Sequence, residues 1–90
     1  MTNHYEEIFE HYGTNHQLLK LAEECSELSA AIVKYCNDEG GSKEAIFLEM
    51  ADVLILIRQF QLASGDEIET AALYKIQRQL KRIGLTLHKT

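Results

Sequence analysis

Ninety residues make one small domain, 1–90, and a chain of that size buries only about two thirds of the surface it exposes when unfolded. A net charge of −5 argues against a generic polyanion binder, because nucleic-acid domains carry a basic surplus or a basic face, so no nucleic-acid partner is expected. No basic segment precedes an apolar one at the N-terminus, and the longest apolar run is too short and too acidic to span a bilayer, so the expectation is a cytoplasmic chain with no membrane contact.

Proline is absent, and Gly13, Gly40, Gly41, Gly65 and Gly84 fall between periodic segments, which divides the chain into four predicted helices with no strand alternation or repeat. The first, about Asn3 to Tyr12, has an aromatic side of Tyr5, Phe9 and Tyr12. The second opens on Thr14, with Gln17 three residues later as a capping box, and runs to about Asn37 along an apolar stripe of Leu18, Leu21, Cys25, Leu28, Ile32 and Cys36. The two cysteines lie 11 residues apart on this helix, about 16 Å by helix rise, too far to bridge, and are expected as reduced core residues. On the margin of the stripe stand Lys20, Glu24 and Glu27, with Glu23 beside them.

Asn37 to Gly41 form a turn, and Ser42 is the expected cap of the third helix, which persists to about Ala63. Its central stretch, AIFLEMADVLILI, contains only two polar side chains, Glu49 and Asp52, on one stripe with Ala45 and Leu56. Phe47, Met50, Leu54 and Ile57 cover the other side, so this helix reads as buried on more than one face. Together with 46% hydrophobic residues, that exceeds what one small bundle can hide, and self-association through the third helix and the aromatic side of the first is expected. The fourth helix, about Glu67 to Ile83, has a narrower apolar stripe flanked by Lys75, Arg78, Lys81 and Arg82, and a short tail from Leu85 to Thr90 follows.

An ionised carboxylate in an apolar setting shifts its pKa, finds a partner or binds a cation. Glu24 and Glu27 on one helix and Glu49 and Asp52 on the next, joined by a short turn, come face to face when the helices pack antiparallel. Four such oxygen groups suit magnesium, which commonly bridges protein carboxylates to substrate phosphates. The histidines His4, His11, His16 and His88 include no Glu-x-x-His pair of the di-iron type, so a histidine metal centre is not expected. Cys25, flanked by acids that suppress its thiolate, is a poor nucleophile.

The E-x-x-E of KLAEECSEL followed about twenty residues later by the E-x-x-D of FLEMADVLILI resembles the signature of the MazG-like all-α nucleoside triphosphate pyrophosphohydrolases. The resemblance extends over roughly residues 14 to 83. It implies an all-α, antiparallel four-helix bundle-like domain completed by oligomerisation as a homodimer or homotetramer. It further implies hydrolysis of a (deoxy)nucleoside triphosphate to the monophosphate and pyrophosphate, as in nucleotide-pool house-cleaning. By that likeness Glu24, Glu27, Glu49 and Asp52 are the catalytic acids and the ligands of Mg2+, with Mn2+ as a substitute. Lys75 with Arg78 or Arg82 is similar to the family's phosphate-binding groups, although Arg78 and Gln79 stand where an asparagine often occurs. Lys20 and His16 complete the expected substrate-binding set. Two other readings stay open at this point: a phosphoribosyl-ATP pyrophosphohydrolase-like activity, and a non-catalytic helical oligomerisation or regulatory module with a structural cation.

Overall fold

A computed structural model describes residues 3–85, and within them the chain is all-helical: α1 His4–Tyr12, α2 Thr14–Cys36, α3 Lys43–Ser64 and α4 Glu67–Arg82. His88 and the expected tail beyond Leu85 lie outside the described residues. Helix boundaries follow local chemistry. Asn3 caps α1 by accepting from the backbone N–H groups of Tyr5 and Glu6, at 2.9 and 3.3 Å, and the Ser42 hydroxyl accepts from Ala45 N–H at 3.1 Å. Between α1 and α2 the chain turns on Gly13, whose φ of 85° is a conformation that glycine adopts without steric cost.

The predicted capping box does not form. Gly13, not Thr14, is the N-cap of α2, and no side chain caps that end. Gln17 instead turns inward and is 3% exposed, its amide bonded to Gln59 of α3 and to the neighbouring His16 rather than to the helix terminus.

The body of the fold is the antiparallel α2–α3 hairpin, with α1 laid against both helices and chiefly against α3. Phe9 meets Phe60 edge to face at 5.2 Å, and Tyr5 Oη accepts a hydrogen bond from Arg58 at 3.3 Å, so the aromatic side of α1 is largely used within the chain. One hairpin register sets Tyr35 against Gly41, Glu24 beside Asp52 and Gln17 opposite Gln59. At the tight end a Cβ on Gly41 would lie 2.6 Å from the Tyr35 backbone nitrogen, a clash that neither backbone can relieve without opening the turn. Gly41→Ala should therefore lower stability by about 1–3 kcal/mol, read as a shift of the urea midpoint with an unchanged slope.

The helix α4 touches α3 alone and buries none of its residues. It is fastened near its start, where Gln61 Nε2 donates to Glu69 Oε1 at 2.6 Å. The four helices thus form a three-helix body with a projecting fourth, and α4 does not close a bundle within one chain.

The expectation that α3 is buried on more than one face fails in the single chain, because α1 and α2 cover only one of its sides. Among the described residues Ile46 and Leu56 are the buried apolar ones, whereas Phe47 and Leu48 are 62% and 70% exposed. Cys25 and Cys36 are free and exposed, not core, since α2 turns the side bearing Leu21 and Leu28 to α3 and leaves Leu18, Cys25 and Cys36 outside. None of the described helices is long and apolar enough to cross a membrane.

Candidate metal and substrate cleft

The acid pairs meet across the hairpin because each repeats at a three-residue spacing on helices packed in a fixed register. Glu24, Glu49 and Asp52 each offer a carboxylate oxygen within 4.8 Å of the others, and Glu23, Glu24 and Glu27 form a second such group. Glu24 belongs to both, so the four expected acids are brought together and a fifth, Glu23, joins them. Burial is graded across the set: Glu24 is 7% exposed, Glu49 is half-buried, and Glu23, Glu27 and Asp52 are open to solvent.

The electrostatics are unbalanced. Lys20 Nζ lies 3.3 Å from Glu24 Oε1 and 3.6 Å from Glu23 Oε1, and its pKa is raised by the hydrogen bond to Glu24 and then by the charge of Glu23. Among the described residues Glu49 and Asp52 have no such partner, and the shielded oxygens Glu24 Oε2 and Glu49 Oε2 accept no hydrogen bond. The charge of Glu24 is the first cause of a raised pKa at Glu27, with lost hydration, a hydrogen bond to Glu24 and the charge of Glu49 adding in the same direction. Buried carboxylate oxygens without partners, in a set of hard oxygen donors from two helices, fit a magnesium or manganese ion.

That raised pKa has a signed consequence. A carboxyl easier to protonate in the folded chain contributes stability that is present below its ordinary value of 4.5 and is lost as pH rises through the raised value. In chelator the melting temperature should accordingly fall relative to a Glu27→Gln variant as pH climbs above that range. Magnesium should remove the difference. Parallel melting curves of the two proteins, with and without the ion, check both statements.

Beside the acids opens a cleft of about 490 Å³, whose walls include Ile8, Tyr12, His16, Lys20 and Asp52. Tyr12 and His16 stack at 4.6 Å with 14° between their planes. His16 Nδ1 donates to Gln17 Oε1 at 2.7 Å and Gln17 Nε2 donates to Gln59 Oε1 at 2.9 Å, with Gln59 only 2% exposed. The expected substrate residues His16 and Lys20 line this cleft.

Lys75, Arg78 and Arg82 do not. They line a separate shallow groove on α4 with Gln79, and Arg78 sits over the Tyr74 ring at 5.9 Å. Of the other histidines, His4 pairs with Glu7 at 3.1 Å and His11 meets Tyr12 edge-on at 4.7 Å; no histidine joins a metal-type cluster among the described residues. Sequence reasoning did not assign Glu23, Gln17 or Gln59 to the site. The signal was present, because Gln17 precedes Glu24, and Gln59 follows Asp52, by seven residues, one heptad along the same helix face. Comparison with protein-family models, with curated proteins and with solved structures finds no match for this chain.

Proposed function

We propose that the protein is a MazG-like magnesium-dependent nucleoside triphosphate pyrophosphohydrolase, converting a (deoxy)nucleoside triphosphate and water to the monophosphate and pyrophosphate in the cytoplasm. The observation that carries this reading is the convergence of Glu24, Glu49 and Asp52 within 4.8 Å, with Glu24 and Asp52 lining a cleft and two carboxylate oxygens buried and unpartnered. A divalent ion bound there would supply positive charge and Lewis acidity toward a polyphosphate.

The chain's own residues do the rest. Water attacks the α-phosphorus, the bond from that phosphorus to the bridging oxygen breaks, and the bridging oxygen leaves with pyrophosphate. Glu27, solvent-open in the acid cluster beside Glu24, is placed to accept the proton that the water gives up. Lys20, at the cleft wall beside Glu23 and Glu24, is placed to meet a phosphate oxygen, and the Tyr12–His16 stack offers a flat wall to a base.

Lys75, Arg78 and Arg82 enter this reading through assembly as a homodimer or homotetramer in which α4 of one chain lies over its neighbour. Two features support that: α4 is unpartnered beyond α3, and the chain exposes 7349 Å², roughly a third more than a compact monomer of its mass. The test is product identity. With magnesium and a panel of nucleoside triphosphates, equal amounts of monophosphate and pyrophosphate are expected, and a diphosphate with orthophosphate would refute the reaction assigned here.

A further inference from the structure

Among the described residues Lys20 is the only lysine or arginine paired with the acid cluster, its Nζ 3.3 Å from Glu24 Oε1 and 3.6 Å from Glu23 Oε1. As a helix-stabilising contact the pair is poorly built. Lys20 precedes Glu24 by four residues, the weaker order for such a pair, because it sets both charges against the helix dipole. Nor does the lysine neutralise the cluster. A single ammonium stands against the carboxylates of Glu23, Glu24, Glu27, Glu49 and Asp52, and it engages Glu24 Oε1 while Glu24 Oε2 and Glu49 Oε2 stay buried without partners.

Of the two partners the lysine is the one able to move. Its side chain is 44% exposed against 9% for that of Glu24, so the carboxylate is held by its surroundings whereas the ammonium swings on a flexible four-carbon stem. Lys20 also lines the cleft, in company with Glu23, Glu24 and Asp52. Among the described residues no other lysine or arginine lines it, since Lys75, Arg78 and Arg82 belong to the groove on α4. A polyphosphate entering this cleft therefore meets acids, and the one cation on its wall is engaged by two of them.

We infer that Lys20 exchanges partners when the acids take up a divalent cation, leaving Glu23 and Glu24 and turning its ammonium to a substrate phosphate. Two positive charges on one carboxylate repel each other, and a divalent charge outcompetes a monovalent one for the same oxygens. Lys20 released in this way gains a phosphate oxygen as its new charged acceptor. Cation uptake and phosphate binding are thereby coupled: the lysine is withheld from phosphate until the acids are neutralised, so the cleft accepts a polyphosphate together with its cation and rejects the bare polyanion. This exchange rests on the reading of the acids as a cation site beside a phosphate cleft, but its test follows the lysine itself and needs no hydrolysis.

The full chain is treated at fixed pH with an acylating reagent in chelator, in saturating magnesium, and in magnesium with pyrophosphate, and modification of Lys20 is read by mass spectrometry against that of the exposed Lys34. An ammonium held between two carboxylates is shielded from the reagent, so the ratio should rise about fivefold or more with magnesium and fall again when pyrophosphate is added. By calorimetry Lys20→Met, which keeps the apolar stem, should bind magnesium about fivefold or more tightly than the parent, because no ammonium has to be displaced, and magnesium pyrophosphate about fivefold or more weakly. If the variant does not fold, the labelling of the parent decides alone. Labelling that ignores magnesium, labelling that rises with magnesium but ignores pyrophosphate, or a folded Lys20→Met that binds magnesium no more tightly than the parent overturns the inference. The labelling pattern expected here, without monophosphate and pyrophosphate from any nucleoside triphosphate, would keep the exchange and refute the hydrolase reading; those products with Lys20 unmoved by magnesium would do the reverse.

Discussion

Glu49→Gln and Asp52→Asn should each lower turnover with magnesium by about a thousandfold or more, because each keeps the shape of the side chain and removes a negative charge that a divalent cation requires. The fold should not suffer. Among the described residues neither acid pairs with a lysine or arginine, and Glu49 Oε2 is shielded without a partner. Neutralising either one relieves repulsion with Glu24, and at Glu49 also the cost of shielding an ion. Urea unfolding in chelator should therefore show each variant as stable as the parent or more so. Had these acids been structural partners of a basic side chain, the same changes would cost about 3 to 5 kcal/mol, the usual loss on breaking a buried pair. Unchanged turnover in both variants would remove the catalytic assignment.

The second large effect concerns assembly. The outer side of α2 carries Leu18, Leu19, Ala22, Cys25, Ile32 and Val33 with no charged residue among them, and Leu19 is 74% exposed. The outer side of α3 adds Phe47, Leu48, Met50 and Leu54, all exposed. Soluble single chains rarely display so many large apolar side chains on two helices. Light scattering at micromolar concentration should give at least twice the chain mass of 10.3 kDa. A double variant Leu19→Glu, Val33→Glu should dissociate, because each glutamate would be buried without a partner in the interface. Retained helicity by circular dichroism separates dissociation from unfolding. A stable, soluble wild-type monomer would end the assembly proposal and, with it, any role for Lys75, Arg78 and Arg82 at a neighbouring cleft.

How far the sequence could be read follows from which periodicities have a single interpretation. Glycines between periodic segments placed all four helices to within a residue or two, and Ser42 was legible as a cap because its hydroxyl follows the Gly40–Gly41 turn and precedes Glu44 in the first helical turn. The meeting of Glu24 and Glu27 with Glu49 and Asp52 was legible because a short turn forces an antiparallel hairpin and the spacings then align. What failed were statements about which apolar side faces inward. In α2 the stripe through Leu18, Cys25 and Cys36 and the stripe through Leu21 and Leu28 adjoin, and hydrophobicity alone does not say which one meets α3. In α3 both sides are apolar, so its exposed side carries no internal mark. Gln17 was misread because Thr-x-x-Gln is a local capping pattern, whereas its actual partner, Gln59, is 42 residues away. Lys75, Arg78 and Arg82 were placed by resemblance alone, and within one chain their helix never approaches the acids.

The central claim is attack of water at the α-phosphorus of a nucleoside triphosphate under the control of Glu24, Glu27, Glu49 and Asp52, and turnover in oxygen-18 water tests it most directly. With magnesium, the products should be monophosphate carrying one labelled oxygen and unlabelled pyrophosphate, and Glu49→Gln should yield neither above background. Label in pyrophosphate or orthophosphate, or no product from any nucleoside triphosphate while calorimetry shows the ion bound, would contradict it.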